Sequence, residues 1–208
     1  MSFVPFRTDA PYLARNRLES FIRSRSEWCI SRQRVWGVPI PSLHSKSTGE
    51  AVLTPESIGH ITSVLEKKGL EYWWGGPVAE FMPPSLRNGA SDSELAETWT
   101  KGTDTMDVWF DSGSSWSLLA ERGLRSGTEG PPAYADVCLE GSDQHRGWFQ
   151  SMLLTAVAST AKDKDTFVLP YRTLVTHGMV LDQEGKKMSK SLGNIISPMT
   201  IIRGGKVR

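Results

Sequence analysis

Hydrophobic positions recur along this chain at two periods, and the change from one to the other marks its elements. Within residues 12–24, Leu13, Leu18, Phe21 and Ile22 stand among arginines and a glutamate, a spacing that predicts a basic amphipathic helix with one face in water. A second helix is expected to open with Thr54 as N-cap and Pro55 in its first position, and to run through Ile58, Ile61, Val64 and Leu65 as far as Gly69. From Tyr134 the pattern becomes strand, helix, strand. The strands are expected at 135–139 and 171–176, and the helix at 146–160 with Trp148, Phe149, Met152, Leu153 and Val157 on one side. A helix crossing between neighbouring strands implies parallel pairing and a right-handed connection, which brings both carboxyl ends to one sheet edge.

Two stretches carry weaker periodicity. Residues 28–40, Trp-Cys-Ile-Ser-Arg-Gln-Arg-Val-Trp-Gly-Val-Pro-Ile, suit an ordered loop leading into an edge strand limited by Pro39 and Pro41. Residues 75–93 hold Gly-Gly-Pro, Pro-Pro and Asn-Gly, and are expected to be mostly loop and turn, an insertion over the main domain.

Composition adds boundaries. With 208 residues, 38% hydrophobic and 23% charged, the chain can build one sizeable core or a core with an appendage. No apolar run reaches the length of a membrane span, and the longest, Met152 to Ala158, is broken by Thr155, so a chain that works in water without a membrane partner is expected. A net charge of +1 hides basic clusters at 15–34 and 186–208, so local patches must attract any polyanion. Cys29 and Cys138 lie far apart without metal spacing, which points away from a disulfide or a zinc site and toward two buried thiols. The first residues lack the basic and apolar regions of a signal peptide, the last ones close no domain, and both ends read as cut.

The expected strand ends carry the chemistry. They read Glu140-Gly141-Ser142-Asp143-Gln144-His145-Arg146-Gly147 and His177-Gly178. Glycines let a ligand approach backbone, and Asp, Gln and His supply hydrogen bonds for a ribose or purine, at the place where open α/β sheets hold ligands. Residues 179–185 then suggest a hairpin-like excursion before Lys186-Lys187-Met188-Ser189-Lys190-Ser191-Leu192-Gly193-Asn194. Lysines among small hydroxyl residues between two glycines suit phosphate oxygens and a loop that closes over a nucleotide, although such a turn most often only faces solvent.

The order Lys187-Met-Ser-Lys-Ser resembles the signature loop of class I aminoacyl-tRNA synthetases. With Trp28-Cys-Ile-Ser-Arg-Gln-Arg-Val-Trp-Gly, Asp107-Val-Trp-Phe-Asp-Ser-Gly and Leu139-Glu-Gly-Ser-Asp-Gln-His-Arg-Gly-Trp-Phe in sequence, the chain is similar to the isoleucyl-tRNA synthetases from about Arg17 to Pro198. Valine and leucine relatives share the first and last signatures and differ in 139–149, which leaves a valyl-type enzyme as an alternative. Ser31-Arg-Gln-Arg and the Lys-Ser ending of the loop resemble the bacterial and mitochondrial branch.

The resemblance implies an α/β fold, the second half of a Rossmann-like parallel-sheet catalytic domain. Residues 1–41 would re-enter that domain, 42–106 form a connective insertion, and 107–208 form the nucleotide-binding half. The family joins isoleucine to ATP as an adenylate and passes the aminoacyl group to tRNA(Ile). Lys187 and Lys190, Lys190 foremost, would stabilise the departing pyrophosphate together with Mg²⁺. Glu140 would meet the ammonium of the amino acid, Gly141, Asp143 and Gln144 the ribose, and His177 and Gly178 the adenine. Trp109 and Trp148 would wall the isoleucine pocket, or else only pack in a core. ATP is implied as substrate, with no zinc in this segment and isoleucine and tRNA(Ile) as partners of a monomeric parent. Val35, Ile40 and Pro41 with the branch resemblance favour the mitochondrial matrix over bacterial cytoplasm.

The family's His-x-Gly-His signature has no counterpart, since His44, His60, His145 and His177 are isolated, and the editing domain precedes the Trp28 segment. Little or no activity is therefore expected of these 208 residues alone, and an uncovered sheet edge would favour aggregation. A non-catalytic nucleotide- or tRNA-binding module, holding an acceptor stem on the 15–34 region, is the competing class. An unrelated α/β protein with a basic turn is the third.

Overall fold

The computed structural model describes residues 2–3, 11–24, 26–124, 133–161 and 167–204. They fall into two compact units, Met1–Ser26 with Ser112–Arg208, and Glu27–Asp111. Residues 27–41, read from the sequence as a re-entry segment, thus share a unit with 42–111.

In the first unit the strand, helix, strand pattern is realised as Ala133–Gly141, Trp148–Thr160 and Leu169–His177. The two strands pair in parallel from Ala133 opposite Leu169 to Gly141 opposite His177, and Ser2–Phe3 adds in parallel on the far side of Leu169–His177. Both strands outrun the expected spans, and Pro170 sits near the start of Leu169–His177, where a missing donor is tolerated. The helix starts later than expected. A 3₁₀ turn, Ser142–Arg146, takes its place, and Gly147 at φ −132°, ψ −115° separates the two.

Phe149 and Met152 are buried against Cys138, Tyr171 and Leu174 of the strands and Leu18 of the helix Pro11–Arg23. Trp148 and Leu153 pack beside them, whereas Val157 is only half-buried. The buried Tyr171 hydroxyl donates to the Phe149 carbonyl at 3.0 Å, which removes an unpaired polar group from the core. Leu18 is buried, Phe21 and Ile22 are half-buried, and Leu13's side chain lies outside the described ones. Gly113 is required by proximity: a Cβ there would stand 2.9 Å from Ser151 backbone.

In the second unit Pro55–Lys68 forms the expected helix. Thr54 Oγ1 accepts from Ser57 N at 3.2 Å while Ser57 Oγ accepts from Thr54 N at 2.9 Å, a reciprocal cap. That cap shifts the inner face by one residue: Ser57 and Ile61 are buried, Val64 and Leu65 pack beside them, and Ile58 is 38% exposed. Leu43, Ile61, Trp73, Phe81, Met82 and Leu95 fill the core.

Residues 75–93 are not mostly loop. Val78–Phe81 and Pro84–Arg87 are short helices opened by prolines, at the N-cap Pro77 and the first-turn Pro84, positions that need no donor. Asn88 and Gly89 then turn the chain at φ 47° and 77° before Asp92–Thr98, which is capped by Ser91 and Glu94. Nor does an edge strand form between Pro39 and Pro41. Pro39 makes one bridge to Thr105, and the strand Leu43–Ser45 starts later, at the centre of an antiparallel sheet with Ala51–Val52 and Trp99–Lys101. Among the described residues no helix is long and apolar enough to cross a membrane.

Cys29 corrects the expectation of two buried thiols, for it is exposed while Cys138 is buried. The Ser31 hydroxyl beside its sulfur, at 3.6 Å, holds the Cys29 thiol below its usual range, and burial pushes Cys138 up to about 12. Iodoacetamide at neutral pH is therefore expected to label Cys29 and leave Cys138 unmodified until the chain is denatured, which peptide mass spectrometry reads directly.

Candidate functional site

The paired carboxyl ends of the parallel strands form the first candidate element. Because Gly141 lies opposite His177, a Cβ on Gly141 would meet Asp143 Oδ1 at 2.6 Å and His177 Cε1 at 3.7 Å. Glycine thus allows Asp143 and His177 to converge over one backbone position. Gly178 adjoins open space. His177 is exposed, and its Nδ1 donates to the Gly178 carbonyl at 2.7 Å, which leaves Nε2 as an acceptor. Glu140 is exposed, with Oε2 accepting from Gly141 N at 3.3 Å.

Gln144 Oε1 accepts from the backbone N of Trp148, the first residue of the helix Trp148–Thr160, at 3.0 Å. Among the described residues its carboxamide nitrogen makes no hydrogen bond, so that donor remains for a ligand. Trp148 is half-buried, and its indole Nε1 donates to the Ser112 carbonyl at 2.9 Å.

His145, which the sequence marked only as isolated, is the fixed point of this turn. It is buried, its Nδ1 donates to the Ser142 carbonyl at 2.6 Å, and its ring meets Phe149 edge-on at 5.6 Å. Its role is to fold the 3₁₀ turn that carries Asp143 and Gln144. No sequence signal beyond its place directly after them identifies it.

The lysine loop begins directly after the second strand. Leu181 bridges Lys187, and Asp182 Oδ1 accepts from the backbone of Glu184 and Lys186 at 3.0 and 2.8 Å, so the expected hairpin forms. Asn194 closes the loop. Its Nδ2 donates to Asp182 Oδ2 at 2.7 Å and to the Lys187 carbonyl at 3.3 Å, and its Oδ1 accepts from Ser189 N at 2.9 Å. The Asn194 bond holds the Asp182 carboxyl below the usual range. Gly185 and Gly193 turn the backbone at φ 76° and 66°, conformations that favour glycine. Lys187 and Lys190 are exposed, and among the described residues neither ammonium forms an ion pair.

In the Glu27–Asp111 unit one carboxylate joins two of the sequence signatures. Asp107, 5% exposed, accepts from Trp28 Nε1 at 3.2 Å and from the Arg32 guanidinium through Oδ2, and from Trp109 N at 2.9 Å through Oδ1. It therefore caps the helix Val108–Gly113 and draws the 28–32 loop against it. Its own N donates to the Ile30 carbonyl at 2.7 Å. Trp109 is 44% exposed and belongs to this unit, whereas Trp148 belongs to the other. The sequence quoted both signatures without linking them, because hydrogen bonds between residues so far apart in the chain leave no periodic trace.

The family model for tRNA synthetases class I (I, L, M and V) matches residues 7–206. The chain is 48% identical to an isoleucine–tRNA ligase of Synechococcus sp. (strain CC9311), covering 97% of this chain and 20% of that protein. It is 51% identical to the isoleucine–tRNA ligase of Microcystis aeruginosa, with 94% and 19% covered, and 50% identical to the chloroplastic/mitochondrial isoleucine–tRNA ligase of Arabidopsis thaliana, with 94% and 16% covered. It spans about a fifth of the length of the first two of these relatives. Among solved structures, the LeuRS in the Agrobacterium radiobacter K84 agnB2 LeuRS-tRNA-LeuAMS complex is similar in fold, with a TM-score of 0.50 at 22% identity, covering 95% of this chain and 26% of that one.

Proposed function

The chain belongs to the class I tRNA synthetases of the I, L, M and V group, and from that premise we propose that it carries the part of an isoleucine–tRNA ligase that holds ATP and the isoleucyl-adenylate. The observation that carries the reading is the register that sets Gly141 opposite His177, with the braced lysine loop following the same strand. Glu140 takes the ammonium of isoleucine, Gly141, Asp143 and Gln144 border the ribose, and His177 and Gly178 border the adenine. Trp148, at the start of the helix that follows these residues, borders the isoleucine side chain. In the first step an isoleucine carboxylate oxygen attacks the α-phosphorus, the bond to the bridging oxygen of the β-phosphate breaks, and pyrophosphate leaves. Lys187 and Lys190 meet the charge that gathers on it. In the second step a terminal ribose hydroxyl of tRNA(Ile) attacks the activated carbonyl, and AMP leaves.

Mg²⁺ is assigned to the phosphates of the nucleotide, where it would share the charge met by Lys187 and Lys190. Residues 107–208 are the nucleotide-binding, Rossmann-like half, 42–106 the connective insertion and 1–41 the re-entry segment of a monomeric enzyme. We assign the chain to the mitochondrial matrix, with bacterial cytoplasm as the alternative; the relatives include both bacterial and chloroplastic/mitochondrial isoleucine–tRNA ligases. Calorimetric titration of the 208-residue chain with a non-hydrolysable isoleucyl-adenylate analogue tests the site: saturable binding, weakened about tenfold or more by Glu140→Ala through loss of a charge-assisted bond, is the expected result. A folded chain that does not bind the analogue, or binds it equally well without Glu140, overturns the assignment.

A further inference from the structure

We propose that the outer face of the helix Pro11–Arg23, together with Arg146, is a docking surface for the sugar-phosphate backbone of an RNA stem. The inference rests on the RNA partner of the preceding reading and names the surface that holds it.

Two cations converge there from different elements. The guanidiniums of Arg17 on the helix and Arg146 on the 3₁₀ turn each stand 5.9 Å from the centroid of the half-buried Phe21 ring. Their charges are therefore separated by at most twice that distance, and the ring steadies both. Both are exposed, and among the described residues neither forms an ion pair. Glu19, the one carboxylate within residues 15–24, is engaged by Arg15 at 2.7 Å. The negative pole at the helix end is also covered: the Phe21 carbonyl accepts from Ser24 Oγ at 3.0 Å and from Gln150 Nε2 at 3.3 Å.

Beside the two arginines, Asn16, Ser20, Arg23 and Ser24 line a shallow depression with Glu19. This stripe offers amide and hydroxyl groups at helical spacing, all exposed, while the apolar Leu18 of the same helix is buried. Among the described residues of this face a protein partner would find no large exposed apolar anchor. An RNA stem presents phosphates and 2′-hydroxyls across a wide, shallow minor groove, and those groups call for guanidiniums flanked by small polar side chains.

The test is fluorescence anisotropy of the 208-residue chain with a fluorescein-labelled RNA hairpin and the DNA hairpin of the same sequence, over a series of salt concentrations. The RNA hairpin is expected to bind at low salt, more tightly than the DNA one. Arg17→Glu with Arg146→Glu should weaken it about tenfold or more and flatten the salt dependence by about one to two contacts. The milder pair Arg17→Gln with Arg146→Gln should flatten it likewise while keeping the wild-type circular dichroism, and Lys67→Glu in the other unit should change nothing. Failure of the folded chain to bind the hairpin, equal binding by the glutamate pair, an equal loss in Lys67→Glu, or equal affinity for a poly-glutamate peptide would each overturn the proposal. Calorimetry of the adenylate analogue on the same glutamate pair is expected to match wild type. Failure of the unsubstituted chain to bind the analogue, while it binds the hairpin and the glutamate pair does not, would remove the nucleotide-site reading and leave this surface standing.

Discussion

Asp107→Ala is expected to destabilise the Glu27–Asp111 unit by about 3 kcal/mol, the low end for breaking a buried ion pair. The low end applies because Arg32, with 34% of its side chain exposed, can recover water once its partner is gone, whereas Trp28 Nε1 and Trp109 N lose their acceptor. Asp107→Asn should cost about half as much: its oxygen can still cap Trp109, but it cannot balance the guanidinium. Combining Asp107→Asn with Arg32→Met should therefore be less damaging than the two single changes added together. Hydrogen exchange at the amides of Asp107, Trp109 and Phe110 reads the effect locally, so that unfolding of the other unit does not mask it. Unchanged exchange in Asp107→Ala would mean that the 28–32 loop is held by other contacts.

This result also separates what the sequence can and cannot disclose. The strand, helix, strand pattern was legible because Phe149 and Met152 stand three apart on the buried side of the helix, between two short strand-like runs. The capped helix at Pro55 was legible for the same reason, since Thr54 and Pro55 are local signals. What was not legible depended on tertiary choice. Ser57 replaced Ile58 on the inner face because the cap drew it in, and the prolines of 75–93 opened helices where they could equally have opened turns. Of the candidate site, Glu140, Gly141, Asp143, His177 and the lysine loop could be named from glycines and charges at expected strand ends. His145 and Asp107 could not, because His145 acts through a backbone contact and Asp107 through Trp28 and Arg32, which lie far from it in the chain.

Lys190→Ala is expected to lower isoleucine-dependent ATP–pyrophosphate exchange by about 10²–10³-fold, the loss typical when one preorganised charge-stabilising group is removed from a transition state. The measurement needs a complete enzyme. Replacing the matching segment of the Microcystis aeruginosa isoleucine–tRNA ligase by this chain supplies one, since 94% of the chain aligns to it at 51% identity. Asn194→Ala in the same chimaera removes no charge, yet it unties the loop from Asp182, Lys187 and Ser189. If the loop must hold its cations in place before pyrophosphate departs, that change should lower the exchange rate about tenfold with little change in the KM for isoleucine. Addition of the two effects in the double variant would show that Asn194 acts elsewhere. A double variant no slower than Lys190→Ala alone would show that Asn194 works by aiming Lys190, because a brace has nothing left to position once the ammonium is gone.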